Sequence, residues 1–230
     1  MIPIKDTVRA REFPVVTAAL IAANVLVWAL ELSMGTRGLE DLVWRLGVVP
    51  ERFLRSPLPF EWVTLLTSQF LHGSWFHLGS NMIALYIFGD NVEDRLGHLK
   101  FLLFYLLCGV GAGVTHILLN SSSAVPAIGA SGAISGVMAA YLVLFPLAQV
   151  VTLTFLFFLP LFVEVPAVLW IAIWFLSQLL NGLFSLAVGE VMLGGVAWWA
   201  HVGGFLTGLV LARPLSRPAY RYHPDEYWPW

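Results

Sequence analysis

Pro126-Ala127-Ile128-Gly129-Ala130-Ser131-Gly132 sets a serine in a glycine-tight turn at the head of an apolar segment, and Ala197-Trp198-Trp199-Ala200-His201-Val202-Gly203-Gly204 sets one histidine in another. Polar side chains inside a membrane span are costly and are functional candidates by default. A hydroxyl and an imidazole are the two parts that a nucleophilic hydrolase needs. Whether these two segments cross a bilayer therefore decides both the fold and the chemistry.

The composition answers that they do. The chain of 230 residues is 59% hydrophobic and only 11% charged, with a mean hydropathy of +0.81, where an average soluble domain is about a quarter charged. Between Lys100 and Glu164 no residue carries a formal charge, and the stretches 165–189 and 191–212 are uncharged as well. Each is long enough for the ~20 residues of a spanning helix. The single cysteine, Cys108, lies in an apolar run and reads as a small buried hydrophobe, with no disulfide framework possible. A net charge of −2 excludes the basic surface that nucleic-acid binding requires.

Helices are expected at about 14–32, 75–89, 100–119, 131–145, 166–183 and 194–211, which makes the fold an all-α membrane protein with six transmembrane helices and a long interfacial loop between the first two. Basic residues precede the first apolar stretch as in a signal peptide. Glu31-Leu32-Ser33-Met34 offers no clean cleavage site, so a retained helix is expected. The stretch 148–163 is the weak point. It is β-branched at 150–154 and bracketed by Pro146 and Pro160, and reads as an extended or interfacial connection or as a seventh span. Six spans put Lys5, Arg9, Arg11, Arg95, Lys100, Arg213, Arg217 and Arg221 on one side, eight of the twelve basic residues. The positive-inside rule then makes both termini cytoplasmic. Residues 1–230 form a single membrane domain on this reading, with short tails at about 1–12 and 213–230. In the loop 34–74, Trp44, Leu46, Val48, Phe53 and Leu54 alternate with charges, as in segments that lie in the interface plane. The tail residues Tyr220, Tyr222, Tyr227, Trp228 and Trp230 read as interfacial anchors.

Three sets of polar residues stand out in the spans: His77 with Asn81 one turn on, Ser131, and His201. A fourth helix of about fifteen residues spans only ~22 Å and must begin below the outer surface, which brings Ser131 to the depth of His201, ~10 Å into the sixth helix. Gly132 and Gly136 form a GxxxG on the fourth helix, and Ala200, Gly204 and Gly208 form a small-residue stripe on the sixth. Such stripes let backbones approach closely in lipid.

The phrases His72-Gly73-Ser74-Trp75-Phe76-His77-Leu78-Gly79-Ser80-Asn81, Gly129-Ala130-Ser131-Gly132 and Ala200-His201-Val202-Gly203-Gly204 resemble the HxxxN, GxSG and AHxxG signatures of the rhomboid family of intramembrane serine proteases, in the family's order. Phe88-Gly89-Asp90-Asn91-Val92-Glu93-Asp94-Arg95-Leu96-Gly97 is similar to a cytoplasmic-loop motif of the same family. The resemblance covers about 14–212. It implies Ser131 as nucleophile, His201 as general base and later acid, and an oxyanion hole made of His77, Asn81 and the Ser131 backbone N–H. It also implies transmembrane proteins as substrates, reached between the second and fifth helices. Inactive relatives lack the serine or the histidine, and this chain keeps both. Two positions depart from the pattern: Glu61-Trp62-Val63 stands where some relatives have Trp-Arg, and Ser135 stands where some place a tyrosine to stack on the histidine.

Singly these residues have plainer readings. A serine in an apolar helix often bonds back to its own turn, and a His/Asn pair at i,i+4 often serves helix packing. His72 reads as an interfacial histidine, His116 as bonding a nearby carbonyl, and His98 and His223 as solvated. Glu93 and Arg95 are expected to tie the cytoplasmic loop together by ion pairing and hydrogen bonds. No metal site is expected, because HExxH is absent and the charge-free spans offer no carboxylate. No cofactor and no obligate partner are expected either. The rival functions are a small transporter, disfavoured by the lack of inverted repeats and intramembrane carboxylates, and a catalytically silent protein that binds membrane clients. The expected location is a prokaryotic cell (inner) membrane.

Overall fold

The computed structural model describes residues 2–55, 58–188 and 196–217. It is mostly helical. The elements run β1 (Ile2–Asp6), α1 (Val15–Ser33), α2 (Gly35–Leu46), α3 (Pro50–Arg55), α4 (Pro59–Thr67), a 3₁₀ turn (Ser68–Phe70), α5 (Trp75–Leu96), α6 (His98–Leu119), α7 (Ser131–Leu144), β2 (Gln149–Leu156), β3 (Leu159–Pro166), α8 (Ala167–Val188) and α9 (Trp198–Leu215). The expected turn at 187–191, the residues 194–195 that open the sixth expected helix, and the tail from 218, with Arg221, His223 and its aromatic anchors, lie largely or wholly outside the described residues.

Among the described residues three helices are long and apolar enough to cross a membrane: Val15–Ser33, His98–Leu119 and Ala167–Ala187. Helix α7 is apolar but shorter, and α5 runs on past its apolar part through a charged last turn to Leu96. Large side chains left uncovered, such as Leu26 and Leu30 on α1, Ile173, Leu176 and Leu180 on α8, and Leu206 and Val210 on α9, form the surface that lipid would solvate. Inside, Leu85, Phe88, Phe101, Phe104, Tyr105, Val137, Tyr141 and Phe205 from α5, α6, α7 and α9 make one core.

The all-α expectation needs one correction: β1, β2 and β3 form an antiparallel sheet in that order. Residues 148–163, ambiguous by sequence, are extended and not a span. β2 and β3 pair in register from Gln149↔Pro166 to Leu156↔Leu159, and the two-residue turn between them holds Phe157 at φ 55 without the glycine or asparagine that usually marks such turns. The N-terminal residues are not a loose tail. β1 adds as an edge strand with a register irregularity at Pro3/Lys5, a place that tolerates proline's missing N–H. The loop 34–74 is largely helical, holding α2, α3 and α4.

Helix ends show why the bundle locks at its charged end. Pro14 gives α1 no side-chain cap, and the first turn's N–H groups need acceptors. The Glu93 carboxylate supplies them, accepting from Val16 N (2.8 Å), Thr17 N (2.7 Å) and Thr17 Oγ1 (2.7 Å), and it also meets His98 Nδ1. So Glu93 ties this region together by the expected hydrogen bonds, capping a helix, with no ion pair to Arg95 among the described residues, and His98 is bonded rather than simply solvated. Arg95 instead lies over the Phe145 ring at 5.7 Å, with its Nη2 3.5 Å from the Arg217 carbonyl.

Candidate active site

Helices α7 and α9 touch backbone to backbone. A Cβ on Gly204 would collide with the Gly132 carbonyl, one on Gly208 with the Gly136 carbonyl, and one on Gly136 with Cys108. These absent side chains let the two helices approach closely enough for short groups on each to meet. Ser131, first residue of α7, and His201, in the first turn of α9, are both half-buried. Their Oγ and Nε2 lie 2.8 Å apart.

Gly129, two residues earlier, has φ +125, a backbone state that L side chains rarely adopt. Its N–H donates to the Ser68 carbonyl (2.8 Å), which ties the turn to the 3₁₀ segment. A Cβ there would also sit 2.6 Å from His77 Nε2. The glycine therefore both permits the turn and leaves room for the imidazole.

The start of α5 is built by capping. Ser74 is its N-cap and accepts from His77 N (3.1 Å), while Gly73 N donates to His77 Nδ1 (3.4 Å). His77 is thus held at the mouth beside the Gly129 turn. Asn81 lies one turn deeper and is buried; its hydrogen bond runs to His72, with Nδ2 3.0 Å from His72 Nε2. An amide nitrogen only donates, so His72 Nε2 accepts. His72 is fully buried. Burial, then the neighbouring His77, push its pKa down to about 4, so it is neutral at physiological pH and free to accept. The Glu31 carboxylate of α1 in turn accepts from His72 N (3.1 and 3.3 Å). The sequence alone offered no signal for this Glu31–His72–Asn81 chain, since each link crosses between elements.

Around His201 the packing differs from the tyrosine stack of some relatives. Ser135 points its hydroxyl back to the Ser131 carbonyl (2.6 Å). Trp174 of α8 lies tilted against the His201 ring at 5.9 Å, and Trp198 meets it edge-on at 6.3 Å. Gln178 of α8 places Oε1 2.8 Å from His201 Nδ1. Trp174 and Gln178 were not singled out for chemistry in the sequence because no motif spacing marks them. Behind Ser131 a pocket of about 40 Å³ is lined by Ser68, Gln69, His116, Gly129, Ser131 and Gly132 among others, and water needs roughly 10–15 Å³ on the same measure. Gln69 Oε1 has no protein partner among the described residues. His116 receives Asn120 Nδ2 at 3.2 Å. No group of three or more His, Cys, Asp or Glu suited to a metal occurs among the described residues.

A multi-pass helical membrane protein with a serine and a histidine hydrogen-bonded between two of its helices is the class that fold and site define. The Rhomboid domain family model matches residues 59–218. The chain belongs to the rhomboid family. It is 29% identical over 204 residues to Rhomboid protein 1, mitochondrial, of Saccharomyces cerevisiae, covering 86% of this chain and 53% of that one. It is 36% identical over 117 residues to Rhomboid-like protein 11, chloroplastic, of Arabidopsis thaliana, covering 51% and 41%. Against Rhomboid protease GluP of Bacillus subtilis it is 35% identical over 130 residues, covering 56% and 24%. The chain thus aligns with about half, or less, of the length of these relatives.

Proposed function

We propose that this protein is an intramembrane serine endopeptidase that cuts membrane-protein substrates in or near their transmembrane segments. The observation that carries the reading is the 2.8 Å contact between Ser131 Oγ and His201 Nε2, at hydrogen-bond distance for proton transfer. Ser131 Oγ attacks the scissile carbonyl as its proton passes to His201 Nε2. The resulting oxyanion is stabilised by the Ser131 backbone N–H, His77 and Asn81, where one lost donor costs ~3 kcal/mol of transition-state stabilisation. His201 then protonates the leaving amine. A water, for which the pocket beside Ser131 has room, attacks the acyl-enzyme with His201 again as base, and Ser131 is regenerated.

The family, the Ser–His contact and the Lys and Arg distribution support a six-span arrangement of α1, α5, α6, α7, α8 and α9 in a single membrane domain, with both termini cytoplasmic. The helices α2 to α4 then lie at the outer interface, where exposed Trp44, Phe60, Trp62, Trp75 and Phe76 suit the headgroup region. Charge-poor walls and a polar hollow at Ser131 would admit water where lipid excludes it. A prokaryotic cell membrane remains the proposed location.

The test is cleavage of a reporter transmembrane substrate in proteoliposomes. Ser131→Ala is expected to abolish the cut and labelling by a fluorophosphonate. Full cleavage by that variant would overturn the reading.

A further inference from the structure

We infer that Gln178 is a positioning residue that sets the tautomer of His201, so that the hydrogen-bonded unit is Ser131–His201–Gln178 across three helices. The inference rests on the hydrolase reading for its functional meaning, but its geometry stands separately.

The direction of each bond follows from what each atom can do. Gln178 Nε2 lies 3.2 Å from the Trp174 carbonyl and 2.9 Å from Ser177 Oγ. A carbonyl oxygen accepts and never donates, so the atom beside it is the amide NH₂, and the other end of the side chain is the carbonyl oxygen. That oxygen, Gln178 Oε1, is 2.8 Å from His201 Nδ1 and can only accept. Nδ1 must therefore carry the proton. In a neutral imidazole Nε2 is then the bare nitrogen, and Nε2 is the atom 2.8 Å from Ser131 Oγ. Gln178 thus leaves His201 poised to accept the serine proton. The opposite tautomer would face Ser131 with an N–H and could not act as base.

An amide also suits the surroundings. A carboxylate in this place would fix the same tautomer but would carry a charge into an apolar span, where it is costly. Gln178 is buried, and its two ends are both satisfied within hydrogen-bond distance. Its Oε1 accepts a hydrogen bond from Nδ1–H before reaction and keeps that bond when His201 becomes cationic. Because Gln178 belongs to α8, the polarity of the pair also depends on α8 staying seated against α9, which Phe175 stacked on Phe205 at 4.1 Å provides.

Two variants and one spectrum test this. Gln178→Met keeps the length and removes the acceptor; Gln178→Glu keeps an oxygen. In proteoliposomes Gln178→Met is expected to lower kcat at least tenfold with KM within about twofold. Gln178→Glu is expected to recover kcat over Gln178→Met and to move the acid limb of the kcat/KM profile to higher pH, since a nearby anion favours imidazolium. Nitrogen-15 histidine spectra in lipid, with the His201 signal assigned by its loss in His201→Ala, should show Nδ1 protonated in the wild type and a mixed or reversed tautomer in Gln178→Met. An Nε2-protonated His201 in the wild type, or a folded Gln178→Met with wild-type kcat and pH profile, overturns the inference. Should Gln178→Met fail to fold, the wild-type spectrum and the Gln178→Glu profile still decide it. Were Ser131→Ala to retain cleavage, the hydrolase reading would fall, while the spectrum would still report on Gln178 and His201.

Discussion

Two of the seams that hold helix α9, which also packs against α6, are of opposite kinds. Toward α7 the contact is glycine against backbone carbonyl, with no side chain between. Toward α8 it is ring against ring and amide against imidazole: Phe175 on Phe205, Trp174 on His201, Gln178 at Nδ1. Small residues give a separation with almost no latitude, because backbone atoms have no rotamers to exchange. Aromatic rings can tilt and re-seat at modest cost. The distance between Ser131 and His201 is therefore fixed by the first seam, and the orientation of the imidazole by the second. A rigid seam carries Ser131 and His201, and the more adjustable one faces the side where α8 is largely exposed.

The sharpest way to break that contrast is to add one methyl group to each seam. Gly204→Ala puts Cβ into the Gly132 carbonyl, so the helices must part. A displacement of ~1 Å at the reacting atoms is enough to cost about 10²-fold in rate. Cleavage by Gly204→Ala is expected to fall by that factor or more, with a lower unfolding temperature. Gly182→Ala on α8 places Cβ 3.2 Å from Trp199 Cε2 and 3.5 Å from Trp198 Cβ. Those side chains have only to yield a few tenths of an ångström, and activity is expected within about threefold of wild type. Equal activities in the two variants, measured on the same proteoliposome assay, would show that the seams do not differ as described.

A second contrast sets the end of the bundle that bears the candidate chemistry against the charged end, which bears the clamps. Glu93 holds the first turn of α1 by three hydrogen bonds and lies in the last turns of α5, far along the helix from His77. Glu93→Gln removes the charge that complements the helix N-terminus and turns one acceptor into a donor. A loss of about 2 kcal/mol in stability is expected, measured by denaturant unfolding in micelles, with cleavage per folded molecule within about twofold. A large loss of kcat at unchanged stability would instead join this end to the reaction.

What the sequence showed and what it hid divide along the same lines. Ser131 and His201 were visible because each sits in a glycine-marked phrase inside a charge-free run, and the close approach of their helices was visible as Gly132/Gly136 and Ala200/Gly204/Gly208. Gln178 was not, because a lone amide in Trp170-Ile171-Ala172-Ile173-Trp174-Phe175-Leu176-Ser177-Gln178 has no local pattern and acquires meaning only from a partner 23 positions on. The bonds of His72 left no trace because its partners Glu31 and Asn81 come from two different helices. The sheet hid for two reasons. The β-branched run at 150–154 suits a strand and an apolar connection alike, and its turn carries Phe157 and Phe158 in place of the usual glycine or asparagine. β1 needed a partner strand far along the chain to be a strand at all, as its pairing from Asp6↔Val150 to Ile2↔Leu153 makes plain. Long-range pairing leaves no periodicity to read.

That sheet gives the smallest and most particular expected effect. Asp6, last residue of β1, tucks its Oδ2 against Tyr141 Oη on α7 and accepts from Asn91 Nδ2 of α5 at 2.8 Å. Burial pushes its pKa up to about 6, against the lowering influence of the Tyr141 hydrogen bond. An unfolded Asp titrates near 3.9. Between those values the native state binds the Asp6 proton more tightly than the unfolded one, so this carboxyl's own contribution to stability is greatest below about pH 4, falls as pH rises toward 6 and levels off above, while His72, with its lowered pKa, contributes the opposite slope. Asp6→Asn is expected to lack that fall, so that its stability gains on the wild type by roughly 1 kcal/mol from pH 4 to 7.5, in unfolding temperatures followed by tryptophan fluorescence. Part of the slope should survive through Asp90, whose Oδ1 accepts from Asn91 N at 2.7 Å beside the same cluster. If Asp6→Asn keeps the wild-type pH dependence over this range, the carboxyl is not held as described and β1 is anchored by its backbone pairing to β2 alone.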